Sequence, residues 1–221
     1  MILDKISVNK IIVEKLTPLR EGFKNKNNKF SAKGYYNNLK VKIYEVFDRN
    51  QGPLREFISK NGELSSYFPK LISYDQKYII EEWVDGKTLK DSNSRFKKNI
   101  SQSEEVKLII NLMWSIKYDI QVFDYISYIF KRVGRTNNLD LSNLPIRINH
   151  NDLSLDNILV TSSGLKIIDN EFLGCNTGWI LNIKNSFLKE NFNYQNFISE
   201  ETLKELWKIR KEWSLMKYNK F

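Results

Sequence analysis

Along residues 10–47, apolar and polar positions alternate in short runs, the period of half-buried β-strands. Ile11-Ile12-Val13, residues 29–36 and residues 39–46 predict a β-meander, with a polar loop around Gly22 after the first strand. In the last run Leu39, Val41 and Ile43 alternate with Lys40, Lys42 and Tyr44, which predicts one apolar and one polar face. Residues 53–60 suit a short helix starting at Pro53, a residue favoured in a first helical turn. Residues 68–72 and 77–84 predict another strand pair about Asp75-Gln76.

The period changes from residue 101. Ser101-Gln102-Ser103-Glu104 fits a capping box. Val106, Ile109, Ile110, Met113, Ile116, Ile120 and Phe123 follow as a helical stripe, continuing with a break toward Phe130. Such a stripe is the core face of a helix. Residues 139–145 read as a connector, and residues 200–216 as a helix with Leu203, Leu206, Ile209 and Trp213 on one side. A sheet with one helix, then a connector and a largely helical half, is a bilobal α+β plan.

The run richest in chemistry lies just before the middle of that second half. His150-Asn151-Asp152-Leu153-Ser154-Leu155-Asp156-Asn157 leads into apolar Ile158-Leu159-Val160, and residues 165–168 form a second short strand ending at Asp169-Asn170-Glu171. A turn that begins His-x-Asp and ends in Asn five residues after that Asp presents an acid and an amide to one point. The next strand delivers a second carboxylate twelve residues after the Asn. Phosphoryl transfer from ATP needs such groups: one carboxylate to orient and deprotonate the acceptor hydroxyl, and hard oxygen ligands for Mg²⁺. Asp152 is the candidate base, and Asn157 and Asp169 are the candidate metal ligands. Turn capping explains these polar residues singly, but not two apolar strands flanking them in this order.

Such a site also needs a strand lysine that contacts the phosphates and is held by a helix glutamate. Lys42 and Glu56 fit these roles, with Lys40 on the same strand face as a competitor. Residues 21–28 contain one glycine among Asn and Lys, which suits a phosphate-covering loop or a plain hairpin equally. Glu81-Glu82-Trp83-Val84 follows apolar Tyr78-Ile79-Ile80 and precedes Asp85-Gly86, a turn signal. It is the candidate adenine-binding connector, with Glu82 and Val84 as its backbone contacts.

Composition removes several classes. At 221 residues and 41% hydrophobic, the chain can build one sizeable core or two small lobes. A formal charge of +9 invites a nucleic-acid reading. The lysines, however, are spread along the chain and often alternate with Asn, and no recognition motif accompanies them. The expected partner is therefore a small molecule rather than nucleic acid. Cys175 is the only cysteine and His150 the only histidine, so an intrachain disulfide and a Cys- or His-based zinc site are excluded. No apolar run approaches the roughly 18 residues of a membrane span. The N-terminus lacks the pattern of a signal peptide. A cytoplasmic location is the expectation.

With these residues placed, the chain resembles the choline/ethanolamine kinase and aminoglycoside phosphotransferase group, the small-molecule branch of the protein-kinase-like fold. Three blocks carry the likeness: Val41-Lys42-Ile43-Tyr44 with Arg55-Glu56; Phe68-Pro69-Lys70-Leu71 with the stretch from Glu81 through Gly86 to Leu89; and His150-Asn151-Asp152-Leu153 with Asn157-Ile158-Leu159, Ile168-Asp169-Asn170-Glu171 and Asn182-Ile183-Lys184-Asn185-Ser186-Phe187. The resemblance implies a nucleotide-binding lobe over residues 1–84 and a catalytic and substrate lobe over residues 85–221, with ATP between them. It also implies Asp152 as base, Asn157 and Asp169 on magnesium, and Lys42 with Glu56 positioning phosphate.

The implied activity is transfer of the γ-phosphate to a hydroxyl of a small polar molecule: an amino alcohol such as choline or ethanolamine, an amino sugar or an envelope sugar. Asn182 stands where the group's pattern has an aspartate that hydrogen-bonds to the catalytic loop. Together with the poor glycine loop, that departure supports a second reading, a nucleotide-binding pseudokinase with a scaffold role. Trp179, Trp207, Trp213 and Tyr218 are candidates for an aromatic cage around a quaternary ammonium, but a core or capping role is the favoured reading for each. Asp156 and Glu171 are candidate contacts for an ammonium or a sugar hydroxyl.

Overall fold

The computed structural model describes residues 4–19, 29–92, 104–182 and 185–218. The glycine-containing loop at residues 21–28, the first three residues of the capping box, and Ile183-Lys184 lie outside them. The chain packs as two compact units. The first joins Met1–Ser94 to Ser154–Glu171, and the second joins Arg95–Leu153 to Phe172–Phe221. The sequence reading expects a single boundary at residue 84. Packing instead sets the hairpin from Ser154 to Glu171 with the N-terminal sheet.

The first unit is built on a six-stranded antiparallel sheet of order β1-β2-β3-β4-β6-β5. Its strands are β1 (Lys5–Val8), β2 (Ile11–Pro18), β3 (Ser31–Tyr36), β4 (Leu39–Glu45), β5 (Leu71–Tyr74) and β6 (Tyr78–Glu82). The predicted meander is present, preceded by β1, which the pattern reading omitted. Two of the hairpins turn on adjacent residues with positive φ, Asn9-Lys10 at 47° and 69° and Asn37-Asn38 at 48° and 64°. Two such residues in succession give the turn whose twist matches paired strands, and asparagine tolerates it best after glycine.

The two faces of β4 differ from the expectation. Val41 and Ile43 join Ile6, Val8, Val13, Leu16, Ala32 and Ile80 in one core. The predicted polar face is also covered from Lys42 onward, because Tyr44, Val46 and Ile79 form a second apolar cluster there. Leu39, at the start of the strand, is exposed instead.

Helix α1 (Gln51–Ser59) carries Pro53 in its first turn, where the missing N–H costs nothing. Its buried residues Gln51, Leu54, Arg55 and Ile58 have the i, i+3, i+4, i+7 spacing of one helical face. A single helical turn, α2 (Gly62–Ser65), follows. A short strand β7 (Lys87–Thr88) pairs with β9 (Ile158–Thr161), which pairs in turn with β10 (Gly164–Ile167).

In the second unit α3 (Glu104–Ser115) buries Val106, Ile109, Ile110 and Met113 as predicted. The helix stops at Ser115, and Ile120, expected on the same stripe, is 51% exposed. The break runs to Asp124, whose side chain accepts from the Ser127 N–H and caps α4 (Tyr125–Arg132). Strands β8 (Arg147–His150) and β11 (Leu173–Asn176) pair antiparallel. Helices α5 (Trp179–Asn182), α6 (Asn185–Asn191) and α7 (Glu200–Tyr218) complete the unit. On α7, Leu203, Leu206, Ile209 and Trp213 are buried, as the spacing predicted. Among the described residues no helix is long and apolar enough to cross a membrane.

Candidate active site

Strand β4 carries Lys42 into the interior of the first unit. The Lys42 ammonium donates to Asp169 Oδ1 and lies 3.1 Å from Glu171 Oε1. Burial alone would push its pKa down. The carboxylates of Glu171, Asp169 and Glu81 outweigh that effect, so the group is held above the ordinary lysine value and stays charged. Lys40, two residues earlier, is exposed and only 3.9 Å from Asp85, a surface pair. Geometry therefore separates the two lysines.

Asp169 follows β10 with φ at 59°, a left-handed conformation that is uncommon for a residue other than glycine. Such backbone persists where surrounding contacts hold it, and it concentrates at functional sites. The backbone carbonyl of Asn157 accepts from the Ile168 N–H at 2.9 Å, so the metal-ligand candidates lie on directly bonded segments. Glu171 is buried, with Oε1 accepting from the Ser31 hydroxyl at 2.9 Å. Its Oε2 has no hydrogen-bond partner among the described residues. That burial argues against Glu171 as an acceptor contact. Asp156 is exposed and pairs with Lys90 at 3.2 Å.

The expected Lys42–Glu56 pair does not form. Glu56 sits off the buried face of α1, where it accepts from Lys60 and from the Tyr74 hydroxyl. The inward position belongs to Arg55, which lies 3.4 Å from Glu81 with both side chains 1% exposed. Glu81 is directly across from Lys42 in the β4–β6 register. It also accepts from Asn170 Nδ2 and from the Tyr44 hydroxyl. Gln51, from the same helical face as Arg55, donates to the Glu171 carbonyl at 2.8 Å. Sequence reasoning missed Arg55, Glu81, Gln51 and Ser31, although the helical spacing of Gln51, Leu54, Arg55 and Ile58 was a readable signal.

A cavity of about 260 Å³ is bounded by these groups. Lys42, Asp169 and Glu171 line one part of it, and Glu82, Trp83 and Val84 line another. The candidate phosphate contact, one candidate metal ligand and the candidate adenine connector thus face one space in this unit. Asn157, Asp169 and Glu171 all offer oxygen atoms, and the buried Glu171 Oε2 is unpartnered among the described residues, a set whose chemistry fits a hard cation such as Mg²⁺. Among the described residues no group of three or more His, Cys, Asp or Glu side chains forms a metal cluster. A magnesium site here therefore needs the Asn157 amide and phosphate oxygens as ligands.

In the second unit β8 ends at His150, and Asp152 occupies the turn that follows. Arg210 on α7 donates from Nη2 to Asp152 Oδ1 at 3.1 Å and from Nη1 to the Ser214 hydroxyl at 2.9 Å. Nothing in the local sequence signalled Arg210. Asn182 Nδ2 donates to the His150 carbonyl at 3.4 Å. An ionised aspartate has no proton to give that carbonyl, so the amide suits this contact. Beneath the turn, Asn151 Nδ2 donates to the Phe172 carbonyl, and Asn176 bonds the Val122 and Phe123 carbonyls and the Gly178 N–H. A Cβ on Gly178 would lie 2.3 Å from Asn151 Oδ1, so this close approach requires glycine.

The aromatic cage is not assembled. Trp179 is 1% exposed, stacks edge-on against Trp114 and donates to the Pro145 carbonyl. Trp207 donates to the Ile180 carbonyl, and the Arg132 guanidinium lies over the Trp213 ring, 5.1 Å from its centroid. The Tyr218 side chain lies outside the described residues.

The fold is protein-kinase-like: an N-terminal antiparallel sheet unit and a largely helical C-terminal unit. Similar solved structures share it at low identity. The aminoglycoside phosphotransferase APH(4)-Ia, as a thermostable mutant, matches with TM-score 0.52 at 13% identity, over 94% of this chain and 90% of that one. The choline kinase LicA from Streptococcus pneumoniae matches with TM-score 0.52 at 15% identity, over 98% and 92%. The streptomycin–ATP complex of APH(2")-IIa matches with TM-score 0.53 at 13% identity, over 88% and 81%. No protein-family model matches the chain. No curated protein matches it either.

Proposed function

We propose that this protein is an ATP-dependent phosphotransferase that moves the γ-phosphate to a hydroxyl of a small polar molecule. The observation that carries the reading is the buried Lys42, ion-paired to an Asp169 of left-handed backbone, in a cavity shared with Glu82, Trp83 and Val84. Lys42 neutralises phosphate oxygens. The backbone of Glu82 and Val84 holds the adenine edge. Asn157 and Asp169, with Glu171 beside them, would hold Mg²⁺, which would supply positive charge to the transferred group.

Asp152 orients the acceptor hydroxyl and takes its proton. The acceptor oxygen then bonds to the γ-phosphorus while the bond from that phosphorus to the β–γ bridging oxygen breaks. ADP leaves with the electron pair, and the proton passes from Asp152 to solvent. The positioning role expected of Glu56 passes in this reading to Glu171 and Glu81, the carboxylates that face Lys42. The folds of aminoglycoside and choline kinases support the reaction class without fixing the acceptor.

The test is Mg-ATP binding. A ligand specific for the folded state at a hundred times its Kd stabilises it by about 2.7 kcal/mol. Saturating Mg-ATP should therefore raise the melting temperature by several degrees, and calorimetry should give one site. Absence of both effects would overturn the reading. Binding with no transfer to any hydroxyl compound would favour the pseudokinase.

A further inference from the structure

In the second unit the Asp152 carboxylate is paired with an arginine of α7, and a second arginine packs on a ring of the same helix. Arg210 is fixed at both ends of its guanidinium, by Asp152 at 3.1 Å and by Ser214 at 2.9 Å. Ser214 itself donates back to the Arg210 carbonyl, which pins the side chain within α7. Three residues beyond Arg210 on the same helix, Trp213 carries a second guanidinium: Arg132 of α4 lies 5.1 Å above its ring and 6.0 Å from that of Tyr128. Among the described residues Arg132 has no carboxylate partner. Tyr125, also on α4, feels both Arg210 and Asp152, so the groups share one neighbourhood. Of the acids on α7, Glu205 and Glu212 are already paired with Arg135, at 3.6 and 2.8 Å.

This arrangement is the reverse of an ammonium site. A cation is recognised by unpaired carboxylates and open aromatic faces. Here the nearest carboxylate is neutralised by Arg210, and the Trp213 ring already faces Arg132. Arg210 is paired with Asp152, while Arg132 carries a charge with no carboxylate partner among the described residues, and guanidinium is the group that binds carboxylate and phosphate in a fixed, bidentate way. Resting on the phosphotransferase reading, we propose that Arg210 and Arg132 select an acceptor that carries an oxyanion, a carboxylate or phosphate, near the hydroxyl that is phosphorylated. A hydroxyl within hydrogen-bond reach of Asp152 places neighbouring groups of its molecule about 6 Å from Arg210, where one unit charge changes affinity by about threefold when fully screened by water and by about a hundredfold near a protein surface.

The experiment uses four probes of similar size: glucose, gluconate, glucose 1-phosphate and glucosamine. Binding to the full chain is measured by calorimetry, with and without Mg²⁺ and a non-hydrolysable ATP analogue, alongside transfer of labelled γ-phosphate from ATP. One or both anionic probes should bind about tenfold more tightly than glucose, and glucosamine more weakly than glucose. Comparing gluconate with glucose 1-phosphate separates a carboxylate from a phosphate requirement. Arg210→Gln removes one charge, and Arg132→Gln removes the other without touching Asp152. Each should shrink the anion preference at least about threefold while analogue affinity is retained. Glucosamine binding as tightly as the anions, neither anion binding, or an anion preference unchanged in both variants would overturn the proposal. Failure of the ATP analogue to bind would count against the phosphotransferase reading instead, since the charge order is read without nucleotide as well.

Discussion

Arg55 and Glu81 form an ion pair, 3.4 Å apart, from which water is excluded on both sides. Arg55 also stacks on the Phe68 ring at 5.0 Å and donates to the Pro69 carbonyl. The pair anchors α1 to the strand that faces Lys42, so it links helix packing to the Lys42 end of the cavity. Removing one partner of a buried pair strands the other charge and costs about 3–5 kcal/mol. Arg55→Met should lower stability on that scale in urea denaturation, while Arg55→Met with Glu81→Gln should recover much of the loss. Glu56→Ala, on the exposed side of the same helix, should leave the midpoint nearly unchanged. If Glu56→Ala were the more damaging variant, the inward assignment of Arg55 would be wrong.

The same pair gives a pH signature. Burial raises the Glu81 pKa, and Arg55 and Lys42 lower it, with a net shift upward. A carboxylate whose folded pKa exceeds its unfolded one opposes folding above the folded pKa, and that opposition is relieved as pH falls through it. Without Arg55 the upward shift grows. The stability deficit of Arg55→Met relative to wild type should therefore shrink between about pH 7 and about pH 5. Urea midpoints at the two pH values measure it, and a deficit that widened toward acid would contradict the sign.

Legibility followed sequence distance. The β9–β10 hairpin was readable because its two short apolar runs and the spacing between them are visible in one short window. Strand β4 was readable as a strand, but not as one covered on both faces, because Lys42 and Tyr44 count as polar until the carboxylates and aromatic groups opposite them are known. Glu56 was chosen over Arg55 by residue type. The helical period of Gln51, Leu54, Arg55 and Ile58 points the other way. Arg210 could not be found at all, since its partner is 58 residues distant and no local pattern marks it. The tryptophans followed the favoured reading: Trp179 and Trp213 are buried, and Trp207 is tied to the Ile180 carbonyl.

Cys175 offers a probe of the second unit that is independent of nucleotide. It is 1% exposed on β11, and burial, with a smaller contribution from Asp119, pushes its thiol pKa up to about 11. The thiolate is the reactive form, so at about pH 8 only about a thousandth is available, and the fold shields even that. Alkylation by iodoacetamide should be orders of magnitude slower in the native protein than in urea. Equal rates would mean that the β8–β11 pair is open in solution.

The lysines separate by burial. Lys42→Ala removes the cation that faces Asp169, Glu171 and Glu81, and in the proposed reading it removes the phosphate contact as well. Mg-ATP affinity and transfer should fall by about tenfold or more, the scale of a charge-assisted contact of about 1.5–3 kcal/mol. Lys40→Ala, which loses only a surface pair with Asp85, should stay within about twofold. Calorimetric titration with circular dichroism as a folding control gives both values. Equal losses would leave Lys42 without a distinct role, and the reverse order would transfer the role to Lys40.

The final prediction divides chemistry from binding. Asp152→Asn keeps the shape of the side chain and can still meet Arg210 through its amide oxygen, but it no longer takes a proton. Turnover should fall by about 10²-fold or more, the scale of general-base catalysis, with nucleotide affinity little changed. Asp169→Asn has a different signature. It removes a negative charge from the cation site and from the Lys42 pair, so nucleotide affinity and its dependence on Mg²⁺ should weaken together. Single-turnover transfer to an acceptor, with ATP titrations at several Mg²⁺ concentrations, distinguishes the two patterns. Near wild-type transfer by Asp152→Asn would remove the base from the mechanism. An Asp169→Asn variant that bound Mg-ATP normally would remove the metal ligand, and with it the reason for the left-handed backbone at that position.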